Sequence, residues 1–199
     1  MKKILVFLSA ILFLTSCVNH HPENGEASKS SKPKNVIFLI GDGMGLNQLY
    51  AGMTANGGTL NIERCTHTGL AKTYSANSYI TDSAAGGTAL ATGSKTNNGM
   101  IGMNADSVAV KSVLSAAEEA GMATGLVATV RITHATPASF YAHQISRNMY
   151  EEIAADMLTS GVDFFVGGGR KNFEVRKDSL NYSDSLRNVD YNIVYSIDY

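Results

Sequence analysis

Apolar residues along this chain come in short blocks whose period changes from block to block. After Asn35, Val36-Ile37-Phe38-Leu39-Ile40 is a continuous apolar run, the pattern of a strand buried on both faces of a parallel sheet. The glycine-rich GDGMG follows, and a helix is expected from about Leu46 to Ala55. Ser107 to Ala120 predicts a second helix stopped by Gly121, and Ala123 to Val130 a second buried strand. Met149 to Thr159 repeats the helix and Val162 to Val166 the strand, closed by GGGRK. This alternation predicts an α/β fold: a doubly wound, mainly parallel sheet with helices on both faces. Asn192 to Tyr195 begins one more strand without a closing helix, so the sheet is expected to be incomplete at its C-terminal side and the chain to be the N-terminal part of something longer.

The first residues follow another logic. Lys2 and Lys3 precede an apolar stretch, Ile4 to Leu14, that is too short to span a bilayer and ends in Leu14-Thr15-Ser16-Cys17. Residues 1–16 therefore read as a signal peptide. LTSC resembles the lipobox of bacterial lipoproteins, which makes Cys17 the lipidated first residue of an exported, membrane-anchored chain facing the periplasm or cell exterior. The alternative is a secretory signal with an incidental cysteine. Residues 17–34 are polar, contain Pro22 and Pro33, and read as a flexible tether in which His20 and His21 are solvated. The catalytic-type domain is expected over 35–199. With Cys17 lipidated, Cys65 has no partner, so the fold is expected to do without disulfides and Cys65 to be a small, partly buried residue.

Composition narrows the picture only slightly. With 44% hydrophobic and 17% charged residues, the 199-residue chain is globular and long enough for one sizeable core. A formal net charge of −1 with no basic run in the body argues against a nucleic-acid partner.

Candidate chemistry lies where segments join. In Ile80 to Gly93, ITDSAAGGTALATG, Thr81 or Asp82 can cap a helix, leaving Ser83 among free amide N–H groups at the positive end of the helix dipole. A nucleophile for an anionic substrate fits there; a small-residue helix with Asp82 as a plain cap fits equally well. In Gly41-Asp42-Gly43-Met44-Gly45, flanking glycines leave room for a cation at Asp42. A dinucleotide loop is disfavoured, because Leu46 occupies the third glycine position and Asp42 would repel a pyrophosphate. Further on, Thr136 can offer a hydroxyl to a magnesium-like ion and His134 can hold a metal-bound water; equally, Thr136 can cap a helix that Pro137 starts. Arg147 can clamp two phosphate oxygens or sit on a solvated surface.

Taken together, GDGMG, TDSAAGGTALATGSKTNNGMIG, THATPASFYAH with SRNMY, and FFVGGGRKNF resemble the alkaline phosphatase family in order and spacing, over most of Asn35 to Phe173. The resemblance implies hydrolysis of small phosphate monoesters through a phosphoserine on Ser83. It also implies two zinc ions and one magnesium, with Asp42 bridging a zinc and the magnesium, Thr136 on the magnesium, and Ser83 beside the metals. Arg147 would clamp the phosphate and Asp82 orient it, and His134 matches a position near the magnesium that members fill with His or Asp. A homodimer is implied as well. Gly86 and Gly87 depart from the Ser and Ala of many members, which is expected to loosen the helix.

The family's remaining metal ligands lie in the second half of its fold. His67, His134 and His143 lack the spacing of a zinc pair, so this chain alone is expected to hold no pair of zinc ions and to be inactive. No GxSxG is present for a serine esterase. The other readings are a lipid-anchored phosphate-binding protein, an inactive remnant, or a related phosphodiesterase or sulfatase.

Overall fold

A computed structural model describes residues 34–196. The signal peptide, Cys17 and nearly all of the tether lie outside the described residues. The described residues fall into two units, 34–40 and 41–196. In the first, residues 34–40 carry no strand, and Val36, Ile37 and Leu39 are exposed. The strand expected there is therefore not formed. A continuous apolar run reports only that a segment can be buried, and a strand also needs ladder hydrogen bonds.

The second unit has α/β architecture. Helix α1 spans Leu46–Ala55, as its sequence predicts, and a 3-10 turn follows at Asn61–Arg64. Helix α2 is Ser83–Thr92 and α3 is Val113–Glu119. Strand β1, Gly125–Arg131, leads through a tight turn into the short helix α4, Ala135–Ala138. Helix α5, Tyr150–Met157, then returns the chain to strand β2, Phe164–Gly168. Two short helices close the chain, α6 at Lys171–Glu174 and α7 at Tyr182–Arg187. Strands β1 and β2 pair in parallel, Gly125 opposite Phe164 and Val127 opposite Val166, with an irregularity before Arg131 meets Gly168. The parallel pairing predicted from the strand–helix alternation is thus present.

The core gathers around α2, α4 and α5. Ala84, Ala85 and Ala91 of α2 are buried with Ala135 and Ala138 of α4, and Ile153, Ala154 and Met157 of α5 are fully enclosed beside Val162. Small residues here have a geometric reason. A methyl group on Gly87 would lie 2.9 Å from Ser139 Oγ and 3.4 Å from the Thr136 backbone, so only glycine lets α2 lie this close to the α4 region. Gly87 tightens the packing of α2 instead of loosening it.

Three departures from the sequence reading have local causes. Helix α3 starts at Val113, because Ser112 caps it by accepting the Ser115 N–H while donating its own hydroxyl hydrogen to the Phe140 carbonyl. Upstream, Asn104 Oδ1 accepts the N–H groups of Asp106 and Val108, and Ser107 sits at φ 61°, which holds this segment in a turn. Pro137 is the third helical residue of α4, with His134 at the N-cap position, so Thr136 is no cap. The stretch 192–195 is not a strand: Tyr195 donates its hydroxyl hydrogen to Glu174, accepts from Arg187, and lies under the Arg170 guanidinium. Cys65, expected partly buried, is exposed.

Candidate active site

Helix α2 begins at the one place in the chain where an acid and a hydroxyl adjoin a run of alanine and glycine. Asp82 has extended backbone, and its Oδ1 accepts the Ala85 N–H at 2.9 Å, the ordinary bond of an N-cap carboxylate. Ser83 is therefore the first helical residue, where amide N–H groups lack partners within the helix and the dipole is positive. The capping reading of Asp82 and the reactive reading of Ser83 describe the same turn.

Arg147 arrives from 64 residues further on. Its Nη1 donates to Ser83 Oγ at 3.2 Å and to Asp82 Oδ2 at 3.1 Å. The arginine is not a solvated surface residue: the side chains of Arg147 and Asp82 retain 24% and 26% of their exposure. An ion pair at this depth is screened far less than a surface pair, and Arg147 Nη2 extends to 3.5 Å from His134 Nε2. Ser83, Asp82, Arg147 and His134 thus form one cluster.

His134 is the least satisfied member. Its Nδ1 is buried and makes no hydrogen bond, which among buried polar atoms marks a place for a water, an ion or a ligand. Burial lowers its basicity first, the nearby Arg147 and Arg131 lower it further, and Asp42 opposes them. These shifts favour the neutral imidazole, the form in which histidine accepts a proton or binds a cation.

Asp42 and Thr136 make a second focus. The Thr136 hydroxyl donates to Asp42 Oδ2 at 2.9 Å, across 94 residues of sequence. Asp42 lies in a turn closed by the Met44 N–H on the Gly41 carbonyl, while Thr136 is held by α4. Two hard oxygens converging in this way suit a magnesium-like cation. Among the described residues, no group of three or more His, Cys, Asp and Glu side chains is placed to hold a metal. The donors present therefore fit a share of one magnesium site, and the two-zinc set is not among them.

All six residues singled out from sequence lie in these two foci. The segment Asn98–Gly99, which the sequence does not mark, ties together Asp82 and Arg147 of the first focus. Asn98 Oδ1 accepts the Asp82 N–H at 3.1 Å and its Nδ2 donates to the Ile80 carbonyl at 2.9 Å. The Gly99 N–H donates to Asp82 Oδ2 at 3.0 Å, and its carbonyl accepts the Arg147 N–H at 2.7 Å. Nothing in the sequence marks the Asn98 amide, in Lys95-Thr96-Asn97-Asn98, as part of a site. Its one signal is membership of the TNNGMIG block.

The chain is similar to known proteins over most of its length. The alkaline phosphatase family model matches residues 33–195. Alkaline phosphatase 4 of Bacillus subtilis is 38% identical over 216 residues, covering 98% of this chain and 46% of that protein. The repressible alkaline phosphatase of Saccharomyces cerevisiae is 42% identical over 159 residues, covering 73% of this chain and 28% of its own length. The alkaline phosphatase of the Antarctic bacterium TAB5 superposes with a TM-score of 0.81 at 47% identity, over 82% of this chain and 48% of that one. A histidine-to-aspartate variant of that phosphatase, similar at the same TM-score, was solved with Mg bound in its M3 site. The chain thus spans about half the length of these bacterial relatives.

Proposed function

This chain belongs to the alkaline phosphatase family, and from that premise we propose that the full-length protein carrying it hydrolyses small phosphate monoesters, with Ser83 as the nucleophile. One observation carries the reading: the Ser83 hydroxyl stands at a helix N-terminus, 3.2 Å from a half-buried guanidinium that also binds the capping Asp82.

Each group has a task that follows from its position. The N-terminal amides of α2 and the Arg147 guanidinium together attract the dianionic phosphoryl group and hold it against Ser83 Oγ. Arg147 presents parallel N–H donors that strengthen as charge builds on the equatorial oxygens, so it stabilises the transition state beyond the bound substrate. Asp82 fixes the guanidinium through Oδ2 while Oδ1 remains on the helix cap. Ser83 Oγ attacks phosphorus, the ester oxygen leaves, and the phosphoserine that forms is hydrolysed in a second displacement.

Asp42 and Thr136 would hold magnesium, with His134 beside it, and Asp42 would also contribute to one of two zinc ions. The metals, when bound, lower the pKa of the attacking hydroxyl or water and neutralise charge on the leaving oxygen. The orphaned His134 Nδ1 and the Asp42–Thr136 contact support the magnesium assignment. The N-terminal pattern supports export and lipid attachment at Cys17, which would place the activity at a membrane surface, and family membership supports a homodimer.

The test is turnover of p-nitrophenyl phosphate by the full-length protein. Activity at alkaline pH is expected, lost on chelation with EDTA and restored by zinc and magnesium. Ser83→Ala is expected to lower kcat/KM by at least about 10³-fold, about 4 kcal/mol of transition-state stabilisation. Phosphate binding without turnover would replace the hydrolase reading with that of a phosphate-binding protein.

A further inference from the structure

We propose that Asn98 is a positioning residue for this site, holding Asp82 and, through the Gly99 peptide, Arg147 in one register. The inference rests on the phosphatase reading and adds to it a residue that acts through Asp82 and Arg147. Its basis is how the Asn98 amide is used. Both polar ends of the side chain are committed to the backbone just before the nucleophile: Oδ1 takes the Asp82 N–H at 3.1 Å and Nδ2 gives to the Ile80 carbonyl at 2.9 Å. The side chain therefore serves as a missing neighbour strand for Ile80 to Asp82, a stretch in which no regular ladder is present. The Asn98 N–H is itself tied to Asn77 Oδ1 at 2.9 Å, so the amide is anchored from behind.

The next residue carries the restraint across the site. Gly99, at φ 89°, turns its N–H onto Asp82 Oδ2 at 3.0 Å and its carbonyl onto the Arg147 N–H at 2.7 Å. That φ lies in the region where a side chain is strained, which suits glycine here. Beyond it, Ile101 and Gln144 exchange both backbone hydrogen bonds, at 2.8 and 3.0 Å, and align the chain leading to Arg147. One dipeptide therefore bonds the backbone before Ser83, the carboxylate that receives the guanidinium, and the backbone from which that guanidinium extends. A shift of Asn98 moves two reacting partners apart at once, and misplacement by about 1 Å in such a site costs on the order of 10²-fold in rate.

The experiment uses the full-length protein with Asn98→Ala and the milder Asn98→Ser, each alone and combined with Arg147→Ala. Turnover of p-nitrophenyl phosphate, calorimetric affinity for inorganic phosphate and thermal unfolding are read in parallel. Asn98→Ala is expected to lower kcat/KM by about 10- to 100-fold and to weaken phosphate binding by about 10-fold. In the Arg147→Ala background the same change should alter kcat/KM by less than about 3-fold, because the group it positions is already gone. An equal loss in both backgrounds would make Asn98 a structural residue only and overturn the proposal, as would unchanged phosphate affinity. If Asn98→Ala does not fold, Asn98→Ser is judged by the same criteria. A wild-type protein that binds phosphate without turnover would refute the hydrolase reading, and the effect of Asn98→Ala on phosphate affinity would then decide this proposal. Absence of phosphate binding in the wild type overturns both.

Discussion

Asp82 divides its carboxylate between two duties, Oδ1 on the Ala85 N–H and Oδ2 on Arg147 and Gly99. The division makes the two duties separable by substitution. Asparagine caps helices nearly as well as aspartate but carries no charge, so Asp82→Asn should keep the cap and destabilise the full-length protein only by the lost charged bond to Arg147, at most roughly 1.5–3 kcal/mol. Its kcat/KM should fall by about 10- to 100-fold, since a charged hydrogen bond to the guanidinium is worth roughly 1.5–3 kcal/mol. Asp82→Ala loses the cap as well, about 1 kcal/mol more, and denaturant unfolding of the three proteins separates the two effects. Arg147→Ala should cost about 10²-fold in kcat/KM and weaken inhibition by inorganic phosphate. At this scale the capping role of Asp82 was legible from composition and position. The pairing of Arg147 with Ser83 was not, because no periodicity links residues 64 apart, and only the family resemblance joined them. Asn98 leaves no mark in the sequence because its work is done by an uncharged amide on backbone atoms.

Among the elements, α2 is held by close approach. Gly87 and Gly86 are adjacent, yet their surroundings differ: a methyl at Gly87 meets Ser139 Oγ at 2.9 Å, while one at Gly86 finds only Thr81 atoms at 3.6 and 3.7 Å. Gly87→Ala should therefore destabilise the full-length protein by about 1–3 kcal/mol through overpacking. Gly86→Ala should be neutral or stabilising by up to about 1 kcal/mol, since alanine is the better helix former. Melting temperatures moving in the same direction for both would contradict this packing account. Helix α1 could be bounded correctly from its sequence, whereas α3 could not: its start depends on Ser112 reaching Phe140, a contact between residues 28 apart. Hydrophobic period marks a helix's middle, and such contacts set its ends.

For the molecule as a whole, α/β class and parallel pairing were readable because helix and strand periods alternate, and β1 and β2 pair accordingly. The stretches 35–40 and 192–195 read as strands and are not, since apolar content says nothing of pairing partners. Among the described residues no group of three or more His, Cys, Asp and Glu side chains is placed to hold a metal, and the chain spans about half the length of its bacterial relatives. Stripping metal from the full-length protein should abolish turnover while leaving the Asp82–Arg147 pair formed, because that pair contains no proposed metal ligand. The most direct test of the central claim is covalent. Full-length protein mixed with a phosphate monoester, quenched in acid and digested, should yield one phosphorylated peptide, with the phosphoryl group on Ser83. Phosphate found on another residue, or turnover that persists in Ser83→Ala, would contradict it.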